Sequence, residues 1–381
     1  MHRRTDQQSA LPDRYYRLNK ADTHPAMFRV SIKPQWQLDR GEGAAVLPRL
    51  IELLVHIHES GTLTEACQRM NLSYRYAWGV LREGQHAFGL PLVESRRGKG
   101  AVLSALGEKL VWADRRISAR LTPVFDSLAS ELEAEIERAL SHAQGILRLH
   151  ASHGFAVEAL RHRFHDQQIP LDLKYCTSLE AVSALARGAC DMAGFHVPLG
   201  FYAAPMLAAY ERDLRAPDLR LILLATRRQG LMTAHGNPKQ VRGVVDLTRE
   251  DLRFVNRQPG AGTRLLMDLM LKQEKIDVRR IRGYDTHEFT HAAVAAYIAS
   301  GMADAGFGVE TPAHRFGLDF LPLISERYFF ACRAEFLDSP TMRSVLEELR
   351  SAEFRAVINA LPGYDAMTSG QVLTVREAFA S

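Results

Sequence analysis

GTLTEACQRMNLSYRYAWGVLREGQHAFG, residues 61–89, predicts two short helices separated by a tight turn. Thr62 and Glu65 have the spacing of a capping box at the start of the first helix. Ser73 is a typical N-cap for the second helix. A short helix, a tight turn and a second helix are together typical of a helix-turn-helix, so this stretch decides the fold of the N-terminal third.

The flanking sequence extends this unit into a winged helix-turn-helix. Residues 27–38 alternate apolar and polar side chains, which predicts a strand. Residues 46–60 have the apolar spacing of a helix, and Gly61 ends it. Further on, residues 91–93 and 101–103 are expected as short strands around a basic, glycine-flanked tip, which would form the wing.

The candidate DNA contacts are polar and basic side chains at the first turn of the second helix, at the first cap and at the hairpin tip. A recognition helix points its first turn into the major groove, where an arginine can donate two hydrogen bonds to a guanine. Hydroxyl groups suit phosphates or base edges. The predicted set is Thr62, Ser73, Tyr74, Arg75, Tyr76, Arg96, Arg97 and Lys99.

Charge is distributed unevenly along the chain. Residues 1–120 hold 19 Lys and Arg against 12 Asp and Glu, whereas the remaining 261 residues hold 29 against 32. A basic front on a slightly acidic body favours a polyanionic partner for the front alone, although such differences also arise by chance. Together with the helix-turn-helix, it leads us to expect double-stranded operator DNA as a partner.

Two motifs give this unit a family resemblance. The stretches SYRYAW (residues 73–78) and GKGAVL (residues 98–103) resemble the DNA-binding domain of the molybdate-responsive ModE regulators and, more loosely, of LysR-type regulators. The resemblance covers about residues 28–112 and implies a winged-helix, DNA-binding domain of the α+β class. We place this domain at residues 27–105, after a flexible N-terminus at residues 1–26.

A long helix is expected after the hairpin, at residues 106–142. Apolar residues recur there at spacings of three, four and seven, and Pro123 predicts a kink or a short break. The resemblance implies that this linker helix pairs with its twin, so that a homodimer or homotetramer binds two operator half-sites. The alternative is that its apolar stripe packs on its own domain.

From residue 146 the chain alternates strands and helices, which predicts a parallel sheet with right-handed crossovers. Residues 219–236 and residues 318–335 each predict more than one strand, and residues 281–301 predict a strand, a loop and a helix. The multidomain chain therefore ends in an α/β domain.

This order resembles the type II periplasmic-binding-protein fold used as a sensor. The stretches RQGLMTAHGNP (residues 228–238), FVNRQPGAGTRLL (residues 254–266) and HAAVAAYIASGMADAGFGV (residues 291–309) carry the resemblance. It implies a ligand-sensing domain with two lobes around a cleft. The predicted domain spans residues 145–375, with lobe I at about residues 145–226 and 322–375 and lobe II at about residues 228–320.

The candidate ligand site follows from hydroxyl, glycine and cationic residues that open helices after strands. Free N–H groups at a helix N-terminus attract anions, and open sheets bind ligands at the carboxyl ends of their strands. A small oxyanion such as molybdate, tungstate or sulfate fits this pattern, as does a small carboxylate such as formate. The predicted residues are Ser152, His153, Thr177, Ser178, Arg257, Gly262, Thr263, Arg264, Thr286, Thr290 and His291.

Residues 287–291, HEFTH, match the H-E-x-x-H pattern, which on a helix binds zinc in metalloproteases. A zinc-dependent hydrolase using His287, Glu288 and His291 with an attached DNA-binding module is therefore the alternative. The extension that supplies a third histidine is absent, so we expect no enzyme, no metal site and no cofactor.

The remaining features describe an ordinary globular protein. Hydrophobic residues make up 46% of the chain and charged residues 24%, with no apolar run long enough to predict a membrane span. The four cysteines form no C-x-x-C pair, which is typical of a reducing cytoplasm. We therefore expect a cytoplasmic regulator whose partners are operator DNA, a small anion and a second copy, with no membrane.

Overall fold

The computed structural model describes residues 27–34, 48–96, 100–141 and 145–379. The flexible N-terminus predicted at residues 1–26 lies outside them, as do Arg97 and Lys99 of the predicted wing and the side chain of Arg96. Residues 27–34 form no strand, so the strand prediction was wrong for its described part. The backbone N–H of Val30 donates instead to Glu133 Oε1, 2.8 Å away on the long helix.

The N-terminal unit contains three helices followed by a two-stranded antiparallel hairpin. The helices begin and end close to the predicted positions because Thr62 Oγ1 and Ser73 Oγ each accept the N–H three residues on, at 3.2 Å. Gly61, with φ +75°, follows the first helix. The elements are α1 (Pro48–Ser60), α2 (Leu63–Arg69), α3 (Tyr74–Phe88), β1 (Val93–Arg96) and β2 (Gly100–Leu103).

The linker helix α4 (Ala105–Ser141) is one 37-residue helix that continues through Pro123, so the predicted short break is absent. One face packs on the same chain: Ser130 Oγ donates to Leu171 O at 3.1 Å and accepts from Leu173 N at 2.8 Å. It thereby covers an edge strand of the C-terminal sheet, which would otherwise leave backbone groups unpaired. Packing on its own domain, the alternative considered from sequence, thus accounts for this face.

The C-terminal sheet is mixed, with the strand order β4-β3-β5-β10-β6-β9-β7-β8, and with β11 and β12 also paired to β6. β3 is parallel to β4 and β5, and β7 is parallel to β8 and β9, but β10 and β6 run antiparallel to their neighbours. The strands are β3 (Leu147–Ala151), β4 (Leu171–Tyr175), β5 (Met192–Pro198), β6 (Leu219–Thr233), β7 (Phe254–Arg257), β8 (His287–Glu288), β9 (Ala305–Val309), β10 (Asp319–Arg333), β11 (Tyr364–Asp365) and β12 (Val372–Thr374).

Two strands are longer than the sequence predicted. β6 and β10 each run for 15 residues without a break, so the prediction of several strands in each was wrong, as was the purely parallel sheet. Their mutual antiparallel pairing absorbs Pro322 in a register shift before Ile324. A side chain at Gly230 would clash with the backbone of Leu321, so this glycine permits the close pairing.

Helices cover this sheet, and buried apolar residues form separate clusters around it. One cluster contains both Ala181 and Leu266, and therefore joins the two halves predicted as lobes. The segment before β8 forms turns rather than the predicted strand, since Tyr284 N donates to Ile281 O at 3.1 Å and Thr286 N to Gly283 O at 3.0 Å. The helices are α5 (Phe155–Asp166), α6 (Ser178–Ala186), α7 (Ala203–Ala208), α8 (Glu211–Leu214), α9 (Gly262–Gln273), α10 (His291–Ala299), α11 (Glu310–Arg315), α12 (Pro340–Arg350), α13 (Ala352–Asn359) and α14 (Val375–Phe379).

Among the described helices, none is both long and apolar enough to cross a membrane.

Candidate functional site

A small cavity lies where the loops that precede α5, α6, α9 and α10 meet. These four loops leave the carboxyl ends of β3, β4, β7 and β8, the edge at which open α/β sheets bind ligands. The cavity volume is about 20 Å³, which is room for about one water-sized group with the lining as it stands. The lining residues are Ser152, His153, Cys176, Thr177, His196, Arg257, Gln258, Ala261, Gly262, Thr263, Phe289 and His291.

Two of the four helices present uncapped N-termini to this cavity. α5 follows Gly154 and α9 follows Ala261, and neither residue supplies a side-chain cap. By contrast, Thr177 caps α6 and Thr290 caps α10 through side-chain oxygens. Each cap satisfies one N–H group, so α5 and α9 keep one more free N–H group at their starts than α6 and α10, and the helix dipoles favour a negative ligand.

Arg257 is the main charged group in the lining. It is 5% exposed, and its Nη2 donates to Phe289 O at 2.7 Å, while its Nε has no partner among the described residues. Burial, reinforced by the charge of Arg227, lowers the pKa of Arg257 to about 9. A buried cation without a carboxylate partner is costly, and an anion in the cavity would relieve that cost.

A second buried arginine lies close to the cavity and is paired. Arg227 Nε is 2.6 Å from Glu326 Oε1, on the neighbouring strand β10, and Arg227 Nη1 lies 3.5 Å from Tyr364 OH. Burial alone would lower the pKa of Arg227, but the charges of Glu326 and Tyr364 and the hydrogen bonds to both side chains together outweigh it and raise that pKa. The Arg227 charge is therefore compensated, whereas that of Arg257 is not.

Three imidazoles surround the same space and are neutral. Burial, followed by the arginine charges, lowers the pKa of His153 to about 4 and the pKa values of His196 and His291 well below 6.5. His291 Nδ1 accepts the backbone N–H of Val309 at 3.4 Å, which places its proton on Nε2. His153 Nε2 and His196 Nδ1 have no partner within the described chain.

The structure brings seven of the eleven sequence-predicted ligand residues to this lining, and their role as ligand contacts stays a prediction. Four others lie elsewhere. Ser178 lies behind His196, with 3.5 Å between Oγ and Nε2, and Arg264 turns away to pair with Asp268. Thr286 is exposed. The hydroxyl of Thr290 caps helix α10 and donates to Ala119 O on α4 at 3.0 Å.

Five lining residues were not predicted from sequence: Cys176, His196, Gln258, Ala261 and Phe289. Cys176 and Gln258 directly follow β4 and β7, so their position at strand ends was a usable signal. His196 lies inside the fully buried strand β5, where the sequence pattern gives no sign of a polar role. Burial raises the pKa of the Cys176 thiol to about 12, which keeps it protonated.

The H-E-x-x-H residues do not form a zinc grip. His287 is exposed on β8, whereas His291 is buried as the first residue of α10, so the two imidazoles do not share a helical face. Glu288 is buried and forms a bidentate ion pair with Arg120 of α4. In the parts of the chain that the structure describes, no group of three His, Cys, Asp or Glu side chains could hold a metal ion.

A larger groove of about 940 Å³ lies elsewhere, between α7, α8 and α14. It is mostly apolar, and its Glu211 and Arg215 already pair with each other at 2.8 Å. The small cavity at Arg257 is lined by His153, His196 and Arg257, each with a buried nitrogen that has no partner among the described residues, so we take it as the candidate ligand site.

The predicted DNA-contacting residues of α3 lie on the surface. Tyr74, Arg75 and Tyr76 are exposed on its first turn, while Ser73 and Thr62 act as caps. The guanidinium of Arg49 lies over the Tyr76 ring, 5.8 Å from its centroid. This first turn combines aromatic, hydroxyl and cationic groups, the set that binds base edges and phosphates.

The chain is similar to known proteins by a family model, by sequence and by solved structure. A family model described as "PBP superfamily domain" matches residues 157–350. The "Uncharacterized protein YvgK" of Bacillus subtilis (strain 168) is 34% identical over 210 residues, which are 54% of this chain and 66% of that protein. The "Molybdenum-pterin-binding protein MopB" of Rhodobacter capsulatus is 31% identical over 106 residues, which are 26% of this chain and 39% of that protein.

Among solved structures, an H2O2-bound mutant of OxyR from Corynebacterium glutamicum covers 82% of this chain and 92% of its own chain, at 15% identity and a TM-score of 0.39. In the comparison of sequences, the chain spans 66% of the length of YvgK and 39% of the length of MopB.

Proposed function

Because the chain belongs to the PBP superfamily through residues 157–350, we propose that it is a DNA-binding transcription regulator that responds to a small anion in the cavity at Arg257. The observation that carries the anion is the buried Arg257 guanidinium, which has no carboxylate partner among the described residues and whose Nε is unpartnered. The cavity that it lines also contains Gly262 and Thr263, the first residues of the uncapped helix α9, and His153, which directly precedes Gly154 at the uncapped start of α5. An enclosed cation and two helix N-termini favour a negative ligand.

The candidate ligands are molybdate or tungstate and small carboxylates such as formate. The relative MopB is a molybdenum-pterin-binding protein by name, which supports the oxyanion. The cavity volume of about 20 Å³ supports the smaller carboxylate, and a tetrahedral oxyanion requires the loops of the lining to move apart slightly.

Operator DNA is the proposed partner of the N-terminal unit. The two caps, the tight turn between α2 and α3 and the exposed first turn of α3 support this role. The surplus of basic residues within the first 120 residues supports it independently. We place the regulator in the cytoplasm, where DNA is accessible, as a homodimer or homotetramer.

A thermal-unfolding panel tests the ligand site. A ligand that binds only the folded chain raises the melting temperature, so molybdate, tungstate, sulfate, phosphate and formate are compared at equal concentration. We expect at least one of these anions to raise the melting temperature. We expect Arg257→Gln to weaken the binding of that anion by about 2 kcal/mol, or roughly 30-fold in affinity.

Arg253→Gln is the matched control, since Arg253 precedes the same strand β7 but pairs with Asp304 at the surface. If every anion stabilised the Arg257→Gln and Arg253→Gln proteins equally, the cavity would not be the binding site.

A further inference from the structure

The buried charges near the cavity leave one positive charge unpaired. Arg227 and Glu326 are 2% and 1% exposed and neutralise each other. Arg257 is the other buried arginine at the site, and within the described chain it forms no ion pair. With all imidazoles neutral, the site therefore balances one negative charge of a ligand and no more.

One of the three imidazoles is fixed in its neutral form by the backbone. His291 Nδ1 already accepts a hydrogen bond from the N–H of Val309. A proton added to Nδ1 would break this hydrogen bond and leave two N–H donors, on His291 and on Val309, facing each other. His153 Nε2 and His196 Nδ1 are different, because both atoms are buried and without a partner among the described residues. These two side chains can accept a proton without losing an existing hydrogen bond.

The groups that face these two imidazoles hold them neutral while the cavity is empty. His196 packs against the Tyr328 ring of β10, with 5.1 Å between ring centroids. The positive charges of Arg227 and Arg257 also lower the pKa of His196. Ser178 Oγ of α6 is 3.5 Å from its Nε2. Without a nearby anion, burial and these two cations favour the uncharged ring.

His153 has comparable surroundings. It packs against the Tyr175 ring of β4, with 4.9 Å between ring centroids. The positive charges of Arg257 and of the exposed Arg315 of α11 also lower the pKa of His153. No carboxylate contributes to the pKa shift of either His153 or His196. A second negative charge on the ligand would therefore be the first anionic neighbour that either ring acquires.

Given the anion site proposed above, we propose that a divalent oxyanion enters this cavity together with one proton, which His153 or His196 takes up. A monovalent anion enters alone, because Arg257 already balances it. The second charge of a dianion would otherwise remain unpaired in a closed site, and the imidazolium that forms would donate a hydrogen bond from a nitrogen that now has no partner.

The sign of the pH dependence follows. Binding raises the pKa of the histidine that takes the proton, so dianion affinity is greatest at low pH and falls about tenfold per pH unit between the pKa values of the free and occupied sites. Affinity for a monovalent anion stays constant over the same range.

Calorimetric titration of the full chain measures this directly. Sulfate, molybdate and formate are titrated between about pH 5.5 and 8.5, in buffers that differ in their heat of ionisation. We expect about one proton taken up per bound sulfate or molybdate and none per formate. Dianion binding without proton uptake, equal uptake with formate, or binding of formate alone would overturn the proposal.

Variants identify the acceptor. The double variant with His153→Gln and His196→Gln is expected to lose proton uptake, whereas His287→Gln, on the exposed β8, retains it. Undiminished uptake in the folded double variant would place the proton elsewhere and contradict the proposal. Failure of the underlying anion site looks different, since then neither sulfate, molybdate nor formate binds at any pH.

Discussion

At the scale of single residues, the unusual feature is a set of buried nitrogen atoms without hydrogen-bond partners among the described residues of the C-terminal domain. Arg257, His153 and His196 each have a buried nitrogen that lacks a hydrogen bond among the described residues. Buried polar groups are normally satisfied, and exceptions concentrate where a ligand binds. These three side chains line one cavity, so a single ligand could satisfy all of them.

The depressed pKa of His153 predicts a pH-dependent stability. The unfolded chain takes up a proton near pH 6.5, whereas the folded chain does so only near pH 4. Protons therefore favour the unfolded chain in that window. Without ligand, the free energy of unfolding should fall by roughly 3 kcal/mol from His153 alone as the pH drops from 6.5 to 4, and remain constant below that.

Denaturant titrations at several pH values measure this effect. His153→Gln should reduce the pH dependence by the contribution of His153, while His287→Gln, at an exposed histidine, should leave it as in the wild type. An identical acid slope in both variants would show that His153 does not cause it.

Arg75 tests the recognition helix. It is exposed on the first turn of α3, where it could donate two hydrogen bonds to a guanine. Arg75→Ala should weaken specific operator binding by about 1–3 kcal/mol and relax the preference at one base pair. Arg82→Ala, exposed farther along the same helix, is the control, and competition with mutated operators gives the measurement. Unchanged base preference in Arg75→Ala would exclude this role.

At the scale of elements, helix α4 contacts the same loop that lines the cavity. Arg257 donates to Phe289 O, and the flanking residues Glu288 and Thr290 bind Arg120 and Ala119 O of α4. Five residues nearer its N-terminus, α4 contacts α1, where Arg115 Nη2 lies 3.4 Å from Glu59 Oε1. Three consecutive residues thus connect the ligand cavity with the helix that leads to the N-terminal unit.

This connection predicts a variant that separates binding from response. Arg120→Gln should keep most of the anion affinity but reduce the coupling between anion and DNA binding, which is typically about 1–3 kcal/mol in regulated proteins. Arg116→Gln on the same helix is the control. DNA affinity measured with and without anion gives the coupling, and full coupling in Arg120→Gln would show that this ion pair does not transmit the signal.

Helices could be predicted from sequence where caps and apolar periodicity lie within the helix itself. Strands could be predicted less well where their pairing partners are distant in sequence. Caps at Thr62 and Ser73 fixed α2 and α3 within a residue or so. The continuity of β6 and β10 could not be predicted, because each is stabilised by the other about 100 residues away. Seven cavity residues could be predicted from strand–helix junctions, whereas His196 could not, because β5 is buried throughout.

At the scale of the whole molecule, α4 presents a second apolar face that the described chain does not cover. Val124, Leu128, Leu132 and Leu140 recur mainly at spacings of four and are 43–63% exposed. The opposite face packs on β4 through Ser130. A row of exposed apolar side chains on a long helix favours pairing with a second copy.

Leu128→Glu should therefore shift the protein from dimer towards monomer. A charge placed at the centre of an apolar helix contact is costly, whereas Glu135→Gln on the same helix should leave the assembly unchanged. Analytical ultracentrifugation over a range of concentrations measures the change. A wild-type protein that is monomeric at all concentrations, or a dimeric Leu128→Glu protein, would contradict the proposed interface.

The central claim joins the cavity at Arg257 to DNA binding by the same chain. The most direct measurement is operator affinity, by fluorescence anisotropy on a site selected from random DNA, with and without the anion that stabilises the protein. We predict that the anion changes the affinity of the wild type by about 5- to 150-fold and that of Arg253→Gln to the same extent, with little change in Arg257→Gln. Equal operator affinity with and without saturating anion in the wild type would contradict the account.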